Sequence, residues 1–198
     1  YLKMGLQIVN TATAGGIPVF AEILETAVGG FTLVTTGLTS GDLLPSGAPI
    51  EVNESTRLGT FCKTAEVYEN TAGGHVEIHV KKGSHLIVGS VVSKTVGGAA
   101  YALTAVDTTT SALYDILTIG TTLGALTAAD VLYESSAAGA SAGAIKNSPT
   151  GLLLADTKVG STESLSIVIR GTAYTRRIRP LMTTQKSGLK AVIFTDSK

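Results

Sequence analysis

The feature that most constrains this chain is the recurrence of short apolar runs with a period of two. "GIPVFAEIL", "GFTLVTTGL", "APIEVN", "GTFCKTAEVYE", "HVEIHV", "HLIVGSVVSK", "LYDILTIG" and "LSIVIRGTAY" follow one another along the 198 residues. Each is rich in Val, Ile, Thr, Tyr or Phe and is bounded by Gly, Pro, Ser or Asn, the pattern of many short strands separated by tight turns. An all-β protein follows, built from small β-barrel or β-clip-like lobes. One stretch departs from the pattern. In "TLGALTAADVLYESSAAG", Leu123, Leu126, Val131 and Leu132 approach helical spacing, so the expectation there is one short helix. Residues 134–144, "ESSAAGASAGA", are small and featureless and read as a mobile loop.

A weak internal repeat accompanies the strands. "GDLLPSGAPIEV" at 41–52 and "GSHLIVGSVVSK" at 83–94 share a Gly, a Leu three positions on, a second Gly three further, and then an apolar pair. Two copies are too few for a solenoid, and the echo points instead to two related β-lobes. The expected division is an N-terminal strand-rich region at 1–75 that begins as a docking arm, a central β-lobe at 76–180, and a C-terminal strand or tail at 181–198. "YLKMGLQIVNTATAGG" offers few apolar anchors before its Gly pair, and the first 40 residues are expected to be the least firmly held.

Composition narrows the function classes. Lys plus Arg and Asp plus Glu stand at 15 each, a formal net charge of zero, which gives no electrostatic footprint for nucleic acid or an anionic membrane. No run approaches the roughly 20 apolar residues of a membrane-spanning helix. Cys62 is the single cysteine and cannot form an intramolecular disulfide, which fits assembly in a reducing cytoplasm. The chain starts at Tyr1, consistent with removal of a leader. Apolar residues reach 44% but aromatics only 5%; strands so poor in charge need their edges covered, which favours life inside an assembly.

Three constellations bear on chemistry. Alternation along "HVEIH" puts His75, Glu77 and His79 on one face, a set able to bind zinc, although a strand with one wet face yields the same pattern and no fourth ligand is apparent. "GASAG" at 139–143 matches the nucleophile-elbow pattern around Ser141, but all three histidines precede it and Pro149 interrupts the segment after it, so the hydrolase reading fails on chain order. "TRRIRP" places Arg176, Arg177 and Arg179 close together. Continued as a strand, it would aim Arg177 and Arg179 one way and Arg176 with Ile178 the other, a layout able to grip carboxylates on a partner or simply to protect an edge. No glycine-rich turn carries the Lys-Ser/Thr pair of a phosphate loop. No cofactor is implied, and the chain is expected not to be an enzyme.

The order "VKKGSHLIVGSVVSK", "YALTAVD", "TGLLLADTKV", "LSIVIRGTAY" resembles the layout of tailed-phage head decoration proteins and the related phage head fiber proteins. The matching positions are Gly89 with Val91 and Val92, then Gly151, Leu152, Leu153 and Asp156, then Val168, Arg170, Gly171 and Ala173. The likeness covers roughly residues 80 to 175; the first 75 residues have no counterpart in the smallest decoration proteins, and "ALYDILTIGTTLGALTAAD" is an extra insertion. The resemblance implies a homotrimer seated on the capsid surface of a virion, with N-terminal residues reaching the phage major capsid protein. The triplets Leu152–Leu154 and Ile167–Ile169 carry apolar side chains on both faces of their strands, and part of that burial is expected between subunits. A bacterial surface or pilus-like binding module and a zinc-dependent enzyme are the alternatives from other classes.

Overall fold

The computed structural model describes residues 17–160 and 163–196. In chain order the elements are β1 (Phe20–Leu33), β2 (Leu43–Leu44), β3 (Pro49–Asn53), β4 (Leu58–Phe61), β5 (Thr64–Glu66), β6 (Glu77–Lys81), β7 (Val91–Ser93), β8 (Ala100–Asp107), β9 (Tyr114–Ile119), β10 (Val131–Glu134), β11 (Gly151–Leu153), β12 (Thr157–Lys158), β13 (Ser164–Tyr174), α1 (Thr183–Gly188) and β14 (Val192–Thr195). The protein is all-β with one short helix.

Two lobes emerge from the pairing. In the first, the sheet runs β1-β4-β3-β11-β13, and β13 pairs back onto β1 to close a five-stranded barrel, while β14 extends β13 beyond β11. Repeated register shifts between β1 and β13 bend the ribbon toward closure. At its far end β1, still paired to β13 at Thr32–Ser164, also meets β4 in parallel at Thr32–Leu58 and Leu33–Gly59. Phe31, Leu33, Ile50, Phe61, Leu153 and Leu165 fill the interior. Gly151 is required where β11 crosses β13: a Cβ there would collide with Ile167 Cγ2 and lie 3.0 Å from the Val168 carbonyl oxygen.

The second lobe is inserted between β4 and β11. Its sheet runs β5-β10-β7-β8-β9-β6, and the Val67–Val80 bridge, with Tyr68 N–H donating to His79 O at 2.8 Å, brings the two ends together. Val67, Ile78, Val80, Leu103, Leu117 and Leu132 form its core. The boundaries expected at 75 and 180 therefore each fall inside a lobe, because the hydrogen bonds that define the lobes join segments far apart in sequence.

The repeat at 41–52 and 83–94 is carried by backbone geometry. Gly41 and Gly47 have φ of 93° and 77°, and Gly83 and Gly89 have φ of 80° and 88° at the matching positions. Ala48 N–H donates to Pro45 O in one copy as Ser90 N–H does to Ile87 O in the other. Gly47 N–H then reaches Leu153 O and Leu153 N–H reaches Ala48 O; in the second lobe Gly89 makes the same bond to Leu103 O, and Leu103 to Ser90 O. The same turn thus clamps the same kind of strand in each lobe, with Leu44 and Leu86, and Ile50 and Val92, buried at equivalent places.

Three further expectations change against this fold. Residues 122–130 form turns, with Leu126 bridged to Thr71, and Val131 begins a strand gripped by β5 and β7, so no helix forms there. Gly124 (φ 86°) and Ala129 (φ 70°) are incompatible with one. The helix lies instead at Thr183–Gly188, after Pro180, where buried Gln185 accepts a hydrogen bond from Met182 N–H through Oε1 at 3.2 Å. The segment 134–144 is stitched down by the Ser135–Ile145 and Ala100–Gly139 bridges and by Ala144 N–H donating to Ser135 Oγ at 3.0 Å. Finally, Phe20–Leu33 is an integral barrel strand rather than part of a loose arm; residues 1–16 lie outside the described residues.

Burial of the two triplets is largely accomplished within the chain. Leu153 and Ile167 point into the first barrel. Leu152, on the opposite face, is covered by Ile178, Leu181, Leu189 and Val192 from the C-terminal segment. Ile169 remains 36% exposed.

Candidate functional site

The chain crosses from the first lobe to the second through Cys62 and Lys63 alone, so the lobes meet closely. Phe61, the last residue of β4, lies edge-on to His85 at 5.6 Å between ring centroids. His85 Nδ1 is 3.2 Å from Asp42 Oδ2, which joins the two copies of the repeat directly. Burial holds the His85 pKa below its ordinary value, the Arg179 charge adds to that effect, and Asp42 opposes both. Lys63 Nζ donates to Gly37 O at 2.6 Å, and burial lowers its pKa as well. Cys62 is buried, and desolvation pushes its thiol far above the usual range, leaving it a packing residue rather than a nucleophile.

Two clefts open at this junction. One, of about 400 Å³, lies between Phe61, Lys63, Ile87, Glu134 and Lys146, the last two paired at 2.9 Å. The other, of about 370 Å³, is the more charged, being lined by Lys81 and Lys82 from the end of β6 and by Arg176, Arg177 and Arg179. The three arginines do not continue β13. They occupy a turn after Tyr174, so the strand alternation expected for them does not apply. Arg176 is exposed; Arg177 donates to Pro18 O at 2.8 Å and stacks over Tyr174 at 4.1 Å. Arg179 turns inward over Phe61 at 5.7 Å, and its burial pushes its pKa down to about 10, opposed by Asp115. It remains a cation at neutral pH.

The histidine constellation is arranged otherwise. Glu77 and His79 share the outer face of β6, with Ile78 and Val80 turned inward, as alternation requires. His75 sits in the preceding turn, its N–H on Ala72 O. His79 Nδ1 meets Glu69 Oε1 at 2.5 Å while its ring stacks on Tyr114 at 4.3 Å. Among the described residues, no three His, Cys, Asp or Glu side chains gather as a metal site. Ser141 is exposed in the stitched turn.

Thr64, on β5, escaped sequence reasoning. It pairs with Tyr133 across the sheet and shares that residue's outward face, yet it is fully buried at the junction, and its Oγ1 has no hydrogen-bond partner there. An isolated threonine inside a strand run carries no sequence signal for this. The "KK" at 81–82 did carry one, as a charge pair beside a turn.

Compared with known protein families, curated proteins and solved structures, the chain matches none.

Proposed function

We propose that this protein is a structural, non-catalytic virion component that decorates or projects from a bacteriophage head as a homotrimer and stabilises the shell by binding the major capsid protein. The family resemblance of residues 80 to 175 supports the viral setting, and one structural observation carries the assembly reading. Where β1, β13 and β14 run side by side, β13 is paired on both sides, by β1 over Phe20–Glu25 and by β14 over Val192–Thr195. The outer edges of β1 there and of β14 have no strand partner among the described residues. They carry apolar side chains: Leu24 is 56% exposed and Ile193 65%. Unpaired edges with exposed apolar residues are a template for strand addition unless another subunit covers them. A closed ring of identical copies covers them without open-ended growth, and repetition over a lattice turns weak contacts into avidity.

Sedimentation tests this reading. The expected result is a trimer at micromolar concentration that Leu24→Lys together with Ile193→Lys converts to a folded monomer. A monodisperse wild-type monomer, or a double variant that remains trimeric, would remove the support given by these edges.

A further inference from the structure

We propose that the cleft at the junction of the two lobes binds a phosphate-class dianion, either free inorganic phosphate or the head of a phosphate monoester, on Arg176 and Arg179 with Thr64 Oγ1 as an added donor. The argument starts from unmatched charge. Five cationic side chains line this cleft, against Glu66 as its one carboxylate. Both lysines are already neutralised: Lys81 Nζ is 2.5 Å from Glu66 Oε1, and Lys82 Nζ is 2.8 Å from Asp115 Oδ1, near enough for ion pairing though off-axis for a hydrogen bond. That exhausts the local acids. Among the described residues no carboxylate lies within ion-pairing distance of the three arginines: Asp115, already paired with Lys82, acts on Arg179 only from farther off, and residues 1–16, 161, 162, 197 and 198 contain no Asp or Glu.

Donors are unmatched as well. Arg177 has committed one nitrogen to Pro18 O. Arg179 makes no hydrogen bond among the described residues, although its guanidinium is a five-donor fork turned toward the interior. Thr64 lines the same cleft, and its Oγ1 is buried and unpartnered. A buried hydroxyl and a half-buried guanidinium left without partners each cost free energy, which an oxyanion in the cleft recovers through charge-assisted bonds. A dianion matches three unpaired guanidiniums better than a single carboxylate does, and a volume of about 370 Å³ admits a phosphate with a small ester but not a folded domain. The site does not depend on the assembly reading, since every residue in it belongs to one chain.

The test is calorimetric titration of the purified protein in Hepes with sodium phosphate and, separately, with O-phosphoserine, using sodium chloride of matched ionic strength as control. Saturable binding of one or both probes is expected, weakened about tenfold by Arg176→Gln and by Arg179→Gln and roughly threefold by Thr64→Val. Arg176 is exposed, so its variant reads the site even if Arg179→Gln fails to fold; Arg179→Lys, which keeps the charge and loses the fork, serves as a second reading there. Equal affinity for both probes identifies free phosphate as sufficient, and tighter phosphoserine binding identifies an ester. Four results would overturn the proposal: no saturable binding, the same response to chloride, an affinity untouched by Arg176→Gln, or tighter binding of a hexaglutamate peptide than of either probe.

Discussion

Leu152 and Leu153 are neighbours in β11 whose side chains point to opposite faces, and both are fully buried. If the first barrel and the C-terminal segment form one folded unit, truncating either should be costly. Leu→Ala removes three carbon groups, about 2.4 kcal/mol at about 0.8 kcal/mol each. A residual cavity of about 50 Å³ adds about 1.2 kcal/mol. Leu153 sits among barrel strands that cannot collapse inward, so Leu153→Ala should cost about 3.5 kcal/mol. Leu152 is covered by Leu181 and Leu189, which flank the short helix, and by Val192 at the start of β14; this segment can settle into the gap, and about 2.5 kcal/mol is expected. Ile169→Ala, at a position 36% exposed, should cost about 1 kcal/mol. Urea unfolding followed by far-ultraviolet circular dichroism measures all three. For a chain of this size, a 3 kcal/mol loss lowers Tm by about 6–12 °C. The decisive comparison is Leu152→Ala at two protein concentrations tenfold apart. A cost below about 1 kcal/mol, or one that depends on concentration, would mean that Leu152 is buried by another subunit and that the intrachain account is wrong.

The remaining predictions concern the histidines. Because the folded pKa of His85 lies below its unfolded value of about 6.5, the unfolded chain takes up the proton first; the stability from neutral His85 is present above that pH and is lost as pH falls below it. Asn tolerates the positive φ of 54°, so His85→Asn should flatten the change in urea midpoint between pH 7.5 and 5.5, and an unchanged pH dependence would show that another group is responsible. His75→Gln combined with His79→Gln should lower stability by at most about 1 kcal/mol, since His75 is exposed and the His79–Glu69 contact is partly solvated. Loss of stoichiometric zinc, measured by elemental analysis, on that double change would restore the metal reading.

Strands were legible in the sequence because their signal is local. "APIEVN", "HVEIHV", "LYDILTIG" and "LSIVIRGTAY" cover β3, β6, β9 and β13, the second and fourth each short of its strand by one residue. Their partners were not legible. β1 pairs with β13 across most of the chain, and nothing in the alternation of either run names the other. The helix was misplaced for a related reason: Leu123, Leu126 and Leu132 have helical spacing, but two of them are core residues of the second lobe reached through turns. The true helix has almost no apolar residues of its own and is held by Gln185 and the leucines flanking it. The arginine triplet was visible as charge, but its geometry was not. Thr64, Lys82 and Arg179 come from three separate segments, and only the docking of the lobes makes Arg179 a half-buried cation beside an unpartnered hydroxyl.

The internal repeat explains why chemistry collects at that junction. Equivalent turns of the two copies face each other, since Asp42 from the first reaches His85 in the second. An isologous contact would repeat this pairing between the equivalent positions, Ser84 and Leu43, but Leu43 is exposed. In a homodimer both sides would carry the same residues, but within one chain they have diverged. Leu43, exposed in the first copy, corresponds to His85, half-buried in the second, and Asp42 corresponds to Ser84. The contact is therefore polar and asymmetric where a duplicated apolar one would have been enough for packing. Two chain crossings hold it in place. Cys62 and Lys63 lead in, and residues 147–150 lead back, tied to β3 by Thr150 N–H on Ile50 O and by Ser148 N–H on Glu51 Oε1. With connections this short and bonds across both, the lobes have little freedom to swing. Arg179 is thus held in place before any ligand arrives, and binding there needs no reordering of the fold.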